Sequence, residues 1–138
     1  MLDAIAETAG RLCNSDYTGV FRLIDGKYHI AASDKVHAEF TSYLRDHPSP
    51  FTRDSSVGRA ALERQPIQIP DVLADPEYKM SDNQRIGNIR TALSVPLVRD
   101  GIAVAVLSLI RMKVHPFTEK EIQIVRTFAN QALIAIVN

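Results

Sequence analysis

The run Ser55-Ser56-Val57-Gly58-Arg59-Ala60 is the part of this sequence best suited to hold an anion. A serine ahead of a helix supplies a cap, the first turn offers free N–H groups, and Gly58 permits close backbone approach. Arg59, and Arg90 further along, would add charge-assisted hydrogen bonds to a phosphate or carboxylate. A plainer reading is preferred for Arg59: a capped helix with an exposed arginine. Asp71 and Asp75 can accept ligand hydrogen bonds, and equally can form Asx-type turns. Tyr78 can stack on a ligand ring or anchor its own loop. Thr91 and Ser94, polar positions in an apolar strand, either face a pocket or are solvated. These eight residues form the candidate ligand set.

Other chemistries lack their residues. Cys13 is the single cysteine, so it can neither close an internal disulfide nor cycle as a dithiol. It falls on an apolar helical stripe and reads as a small buried hydrophobe. His29, His37, His47 and His115 show no metal-ligand spacing, so no metal is expected and no cofactor is named. There is no nucleophile elbow, phosphate-binding loop or paired carboxylate set, so no catalytic residue is assigned. Sixteen basic residues balance sixteen acidic ones, which argues against a nucleic-acid footprint. The longest apolar run, Ile102 to Ile110, is too short to cross a bilayer. The start lacks a basic n-region and is not a signal peptide. A cytoplasmic domain without membrane contact is expected, whatever anchors its parent protein elsewhere.

The elements that would position these residues follow from periodicity. Leu2, Ile5, Ala6, Ala9, Leu12 and Cys13 form one helical stripe. Two β-rich runs flank Asp25-Gly26, a pair suited to a type I′ hairpin turn. A helix carrying Val36, Phe40, Tyr43 and Leu44 ends at Pro48 and Pro50. A second short helix, capped at Ser55 or Ser56, stops before Pro66, and the short strand Ile67–Pro70 follows. Residues 71–90 are polar and turn-rich, a long loop with one helical turn after Ser81. A second hairpin turns at Asp100-Gly101. There Ile102, Val104 and Val106 alternate with Ala103, Ala105 and Leu107, so both faces are apolar and the strand is central. The last helix has a capping box, Thr118 with Glu121, and a hydrophobic staple, Phe117 with Ile122. One of its stripes suits the sheet. A second, with Ile124, Phe128, Ile134 and Val137, suits another helix. No Gly or Pro stops it, so it is expected to continue into a larger protein.

The order and spacing of these segments resemble the GAF family of sensory domains over nearly the whole chain. "GVFRLIDGKYHIAAS" is similar to the family's opening strands, and "SSVGRAALERQPIQIPDVLADPEY" to its middle segment. "IRTALSVPLVRDGIAVAVLSL" resembles its closing hairpin, and "PFTEKEIQIVRTFANQALIAIVN" its final helix. The closing strings look most like those of bacterial sensor kinases and cyclases. The resemblance implies a small-molecule-sensing or dimerising module; relatives bind cyclic nucleotides, bilins, haem or nothing known. Bilin attachment needs a thiol beside the pocket, and Cys13 lies far from the middle segment. The methionine sulfoxide reductases of this type need several cysteines. "IPDVLADPEY" resembles the cyclic-nucleotide subgroup, but Asp82 is followed by Asn83 where that subgroup has an Asp-Glu pair. "IGNIRT" replaces its Thr-Gly-Tyr.

The expected fold is therefore α+β, GAF-like with PAS as the lesser resemblance. A central antiparallel sheet carries the terminal helices on one face and the short helices and long loop on the other. Residues 1–138 form one domain, excised from a larger protein. The expected function is small-molecule sensing and dimerisation in a bacterial sensor histidine kinase. The alternatives are a ligand-free spacer, or the sensory domain of a cyclase or transcription regulator. The expected homodimer would use Ile5, Leu12, Ile124, Phe128, Ile134 and Val137. Ligand would order the segment from Pro48 to Arg90, and the sheet would pass that change to the terminal helices.

Overall fold

The computed structural model describes residues 1–137; Asn138 and the side chain of Val137 lie outside the described residues. Helix α1 spans Leu2–Leu12, strand β1 Tyr17–Ile24, β2 Lys27–Asp34 and α2 Ala38–Asp46. Strand β3 (Ser49–Pro50), α3 (Ser56–Glu63) and β4 (Ile67–Ile69) come next, then a 3-10 turn at Val72–Ala74. Helix α4 (Ser81–Gly87), the hairpin β5 (Thr91–Arg99) and β6 (Ile102–Arg111), and α5 (Glu119–Val137) complete the chain. The strands form one antiparallel sheet in the order β3-β2-β1-β6-β5-β4.

Both hairpin turns take the form their Asp-Gly pairs dictate. Asp25 and Gly26 lie at φ 51° and 79°, Asp100 and Gly101 at 53° and 78°. Two consecutive positive φ values define a type I′ turn, whose twist matches the flanking strands. Pro50 is more than a helix stop. It pairs with Lys27 in the edge strand β3, a place where its missing N–H costs no ladder bond. The loop of residues 71–90 is also more ordered than its polarity implies, holding the 3-10 turn and α4.

The sheet separates two cores. On one face α1 and α5 cover Val20, Leu93, Val95, Leu107 and Leu109. On the other, α2, α3 and α4 cover Phe21, Ile69, Val106 and Ile110. β6 is thus central and buried on both sides. Its alternation is not continuous, however. The register slips between Leu97 and Val98 of its partner, and this bulge puts Val104 and Ala105 both on the α1/α5 side. The capping box at the start of α5 is formed reciprocally. Glu121 N–H donates to Thr118 Oγ1 at 3.2 Å, and Thr118 N–H to Glu121 Oε1 at 2.8 Å. Phe117 and Ile122 both pack on the adjoining core.

Candidate functional site

The fold spends four of the eight candidate ligand residues on one another. Arg59 donates from Nη2 and Nη1 to the two carboxylate oxygens of Asp75, at 2.7 and 3.0 Å. Arg90 grips both oxygens of Asp71 from Nε and Nη2, at 3.1 and 3.0 Å. Arg59 is not the exposed arginine of a capped helix. It is 4% accessible, because its guanidinium lies between α3 and the loop it fastens. Asp71 also accepts from Leu73 N–H, and Asp75 from Glu77 and Tyr78 N–H. The Asx turns foreseen for these aspartates therefore form, with an arginine added to each. The arginines hold both carboxyls below the usual aspartate range.

The anion cradle at Ser55–Ala60 is likewise filled from within. Ser55 Oγ accepts from Gly58 N–H at 3.0 Å and caps α3. The close approach that Gly58 permits is taken by the chain's own backbone: a Cβ there would collide with the carbonyl of Thr52 and lie 2.8 Å from that of Pro50. Thr91 and Ser94 are neither solvated nor open to a pocket, since both are fully buried. Thr91 Oγ1 donates to Pro70 O and accepts from His115 N–H. Ser94 Oγ stands between Ser56 Oγ and Ser108 Oγ, at 3.0 and 3.2 Å.

Tyr78 is the one candidate that borders open space. A cavity of about 50 Å³ lies between the sheet and α2, α3 and α4. The side chains of Phe21, Ile30, Phe40 and Ile110 form much of its wall. Its polar lining comes from Ser49, Ser55, Ser56, Tyr78, Asn83 and Ser108, with Tyr17, whose hydroxyl donates to Gly87 O, and among the described residues no charged side chain or histidine takes part. Tyr78 is held over it by the carboxylate of Asp75, while Lys79 N–H donates to Asp54 O at 2.9 Å. Arg53 adds an outer clasp, bonding Glu77 at 2.7 Å and Glu63 at 2.9 Å. Burial pushes the Tyr78 phenol well above its ordinary range. Sequence reasoning missed Ser49 and Asn83. In sequence Asn83 stands out only as a departure from an acid at that position, and Ser49 sits between two prolines with no pattern to mark it.

The sequence profile of the GAF domain family matches residues 1–137. The chain belongs to the GAF domain family. The fold of a GAF domain/HD domain protein from Geobacter sulfurreducens is similar, with a TM-score of 0.83 at 18% identity, covering 99% of this chain and 89% of that one. A domain assigned to a two-component sensor histidine kinase protein of Sinorhizobium meliloti has a TM-score of 0.74 at 18% identity, with 96% and 85% covered. A type II free methionine-R-sulfoxide reductase from Thermoplasma acidophilum has 0.79 at 16%, with 98% and 89% covered. No curated protein sequence matches. Within this GAF domain Cys13 belongs to the α1/α5 core, across the sheet from the cavity, and among the described residues no group of His, Cys, Asp and Glu is placed to hold a metal. None of the described helices is long and apolar enough to cross a membrane.

The expected dimer residues separate in the same way. Ile5, 6% accessible, is spent in the domain's own core, and Ile124 and Phe128 are partly buried against it. Leu12 and Ile134 stay exposed. Ile5 and Ile134 do border one shallow apolar surface, together with Met1 and Ala135. Val137, also expected at the dimer seam, has its side chain outside the described residues.

Proposed function

We propose that this GAF domain is a non-catalytic regulatory module of a cytoplasmic signalling protein, of the sensor-histidine-kinase kind, in which a small molecule in the α2/α3/α4 cavity alters homodimeric packing of α1 and α5. The observation that carries this reading is the construction of β6. Ser108 and Ile110 line the cavity, while the next residue, Arg111, reaches through the opposite face to both terminal helices. Its guanidinium donates to Cys13 O at 2.6 Å, Asn14 O at 3.3 Å and Glu121 Oε2 at 2.9 Å. It also lies 3.8 Å over the ring of Phe117. A displacement of β6 by ligand would thus be felt where α1 ends and α5 begins. The likeness to the domain from the Sinorhizobium meliloti sensor histidine kinase protein supports the kind of host. The non-catalytic reading draws on Cys13, which is fully buried on the far side of the sheet.

Coupling of this sort needs a ligand with different affinity for two packings of the helices. Native mass spectrometry of the purified protein, followed by a metabolite screen, tests for the ligand, and hydrogen exchange tests the coupling. A bound metabolite should change the protection of residues 10–13 and 118–125; unchanged protection sinks the coupling. A second reading, a dimerisation spacer that binds nothing, has its own support in the small cavity. Free ligand pockets are usually several hundred Å³.

A further inference from the structure

We infer that the cavity takes a small uncharged molecule bearing a carbonyl or carboxamide, and that it rejects anions, a ligand class that rests on the sensing reading above. Asn83 is 8% accessible and Ser49 4%. Neither side chain, nor the hydroxyl of Tyr78, hydrogen-bonds to a described residue. Every fully enclosed side-chain polar atom among the described residues has a partner, so these three groups keep contact with solvent, and all three residues line the cavity. Water can satisfy them while the space is open, so an apolar occupant that displaced it would leave each unsatisfied at about 1–3 kcal/mol, and an occupant with hydrogen-bonding groups of its own is favoured.

The three groups define what that occupant presents. Ser49 and Tyr78 offer hydroxyl donors, and burial keeps the Tyr78 phenol protonated. Asn83 offers both an N–H donor pair and a carbonyl acceptor. A carbonyl oxygen with an adjoining N–H or O–H answers this set, and the aromatic and aliphatic wall suits a short apolar body.

Charge is excluded by the bonding around the site. Arg59 is committed to Asp75, Arg53 to Glu63 and Glu77, and Arg90 to Asp71. An entering carboxylate or phosphate would meet no charged side chain in the lining, only the first turn of α3 that Ser55 already caps, and would be stripped of water at a penalty of several kcal/mol. An entering cation meets no acid in the lining either. Size sets a further bound, since a water needs about 10–15 Å³ by this measure. The cavity of about 50 Å³ therefore holds a molecule of only a few heavy atoms unless Tyr78 yields.

Isobutyramide and isobutyrate share a shape and differ in charge, so they make the test. Each is titrated into the 15N-labelled domain at neutral pH and followed by two-dimensional NMR. Isobutyramide should shift the Asn83 side-chain amide and the backbone amides of Ser108 and Ile110, saturating in the millimolar range. Isobutyrate should bind at least about tenfold more weakly, a difference of about 1.4 kcal/mol. Asn83→Leu should weaken isobutyramide at least about fivefold; if that variant does not fold, Ser49→Ala replaces it. Equal or tighter binding of isobutyrate overturns the uncharged class while leaving a sensing cavity. Shifts confined to residues outside the cavity overturn the class as well. No shift from either compound at tens of millimolar sinks the sensing reading and the class together.

Discussion

Arg59 and Asp75 join α3 to the loop that closes the cavity, through a two-pronged ion pair at 2.7 and 3.0 Å. The Arg59 side chain is 5% accessible, so its charge depends on that one carboxylate. Removing one partner of a buried pair costs more than removing both. Asp75→Ala should therefore destabilise the domain by about 3 kcal/mol, read as a lower urea midpoint. The double variant Arg59→Met with Asp75→Ala should recover part of that loss. A strictly additive double variant would show that the pair is not coupled.

The same arginines give the domain an acid-sensitive side. Asp71 is held down by Arg90, Asp75 by Arg59, and Glu63 and Glu77 by Arg53. Each carboxyl is more acidic folded than unfolded, so at acid pH the unfolded chain binds more protons. Their stabilisation is present above the ordinary values of about 3.9 for Asp and 4.3 for Glu, and is lost as pH falls through the folded values. Melting temperature should be level from neutrality to about pH 5 and fall below about pH 4. The gap between wild type and Asp75→Asn should close over the same range; a gap that stays constant to pH 2 would contradict the linkage.

How far the sequence reveals this depends on whether the signal is local. The I′ turns at Asp25-Gly26 and Asp100-Gly101, the capping box at Thr118 and Glu121, and the two-faced β6 are local patterns; each is found, although a bulge breaks the alternation expected for β6 at Val104 and Ala105. The pairing of Arg59 with Asp75, sixteen residues apart, depends on how a loop closes over a helix, and no periodicity carries that. The candidate ligand residues stand out in sequence by type alone. Polar types favoured by ligands are also the types that fold uses to tie loops, so Arg59, Asp75, Arg90 and Asp71 satisfied each other. Asn83 and Ser49 lack that distinction in sequence; only the absence of a partner in three dimensions marks them.

Arg111 should be intolerant even of lysine. Its guanidinium reaches five acceptors, including the carbonyls of His115 and Pro116, and stacks on Phe117. An ammonium has three donors and no plane to stack. Arg111→Lys should cost about 2–3 kcal/mol and speed hydrogen exchange first at residues 12–15 and 117–121. Uniformly faster exchange throughout the domain would deny Arg111 a special place at that junction.

Ile134 separates the dimer from the fold. It is 59% accessible, so Ile134→Glu should change unfolding free energy by no more than about 0.5 kcal/mol. If α1 and α5 of two chains meet at this surface, the substitution buries a charge in the seam and light scattering should fall from two chains to one. A wild-type mass already equal to one chain counts against dimerisation through these helices.

Cys13 reports on the same junction from inside. Its thiol is fully buried, and its Sγ lies 3.6 Å from Glu121 O. Burial pushes its pKa up, with Glu121 adding to the rise and Arg111 opposing it. Thiolate is the reactive form, so modification must wait for the site to open. At pH 8 a disulfide reagent should label native Cys13 at least about a thousandfold more slowly than the urea-unfolded chain, given a domain stability of about 5 kcal/mol or more. Arg111 also binds the Cys13 carbonyl, so Arg111→Lys should raise the labelling rate by more than its loss of global stability accounts for. That excess would measure local opening where α1 meets α5. Labelling of the wild type at the unfolded rate would mean that α1 is not sealed against the sheet.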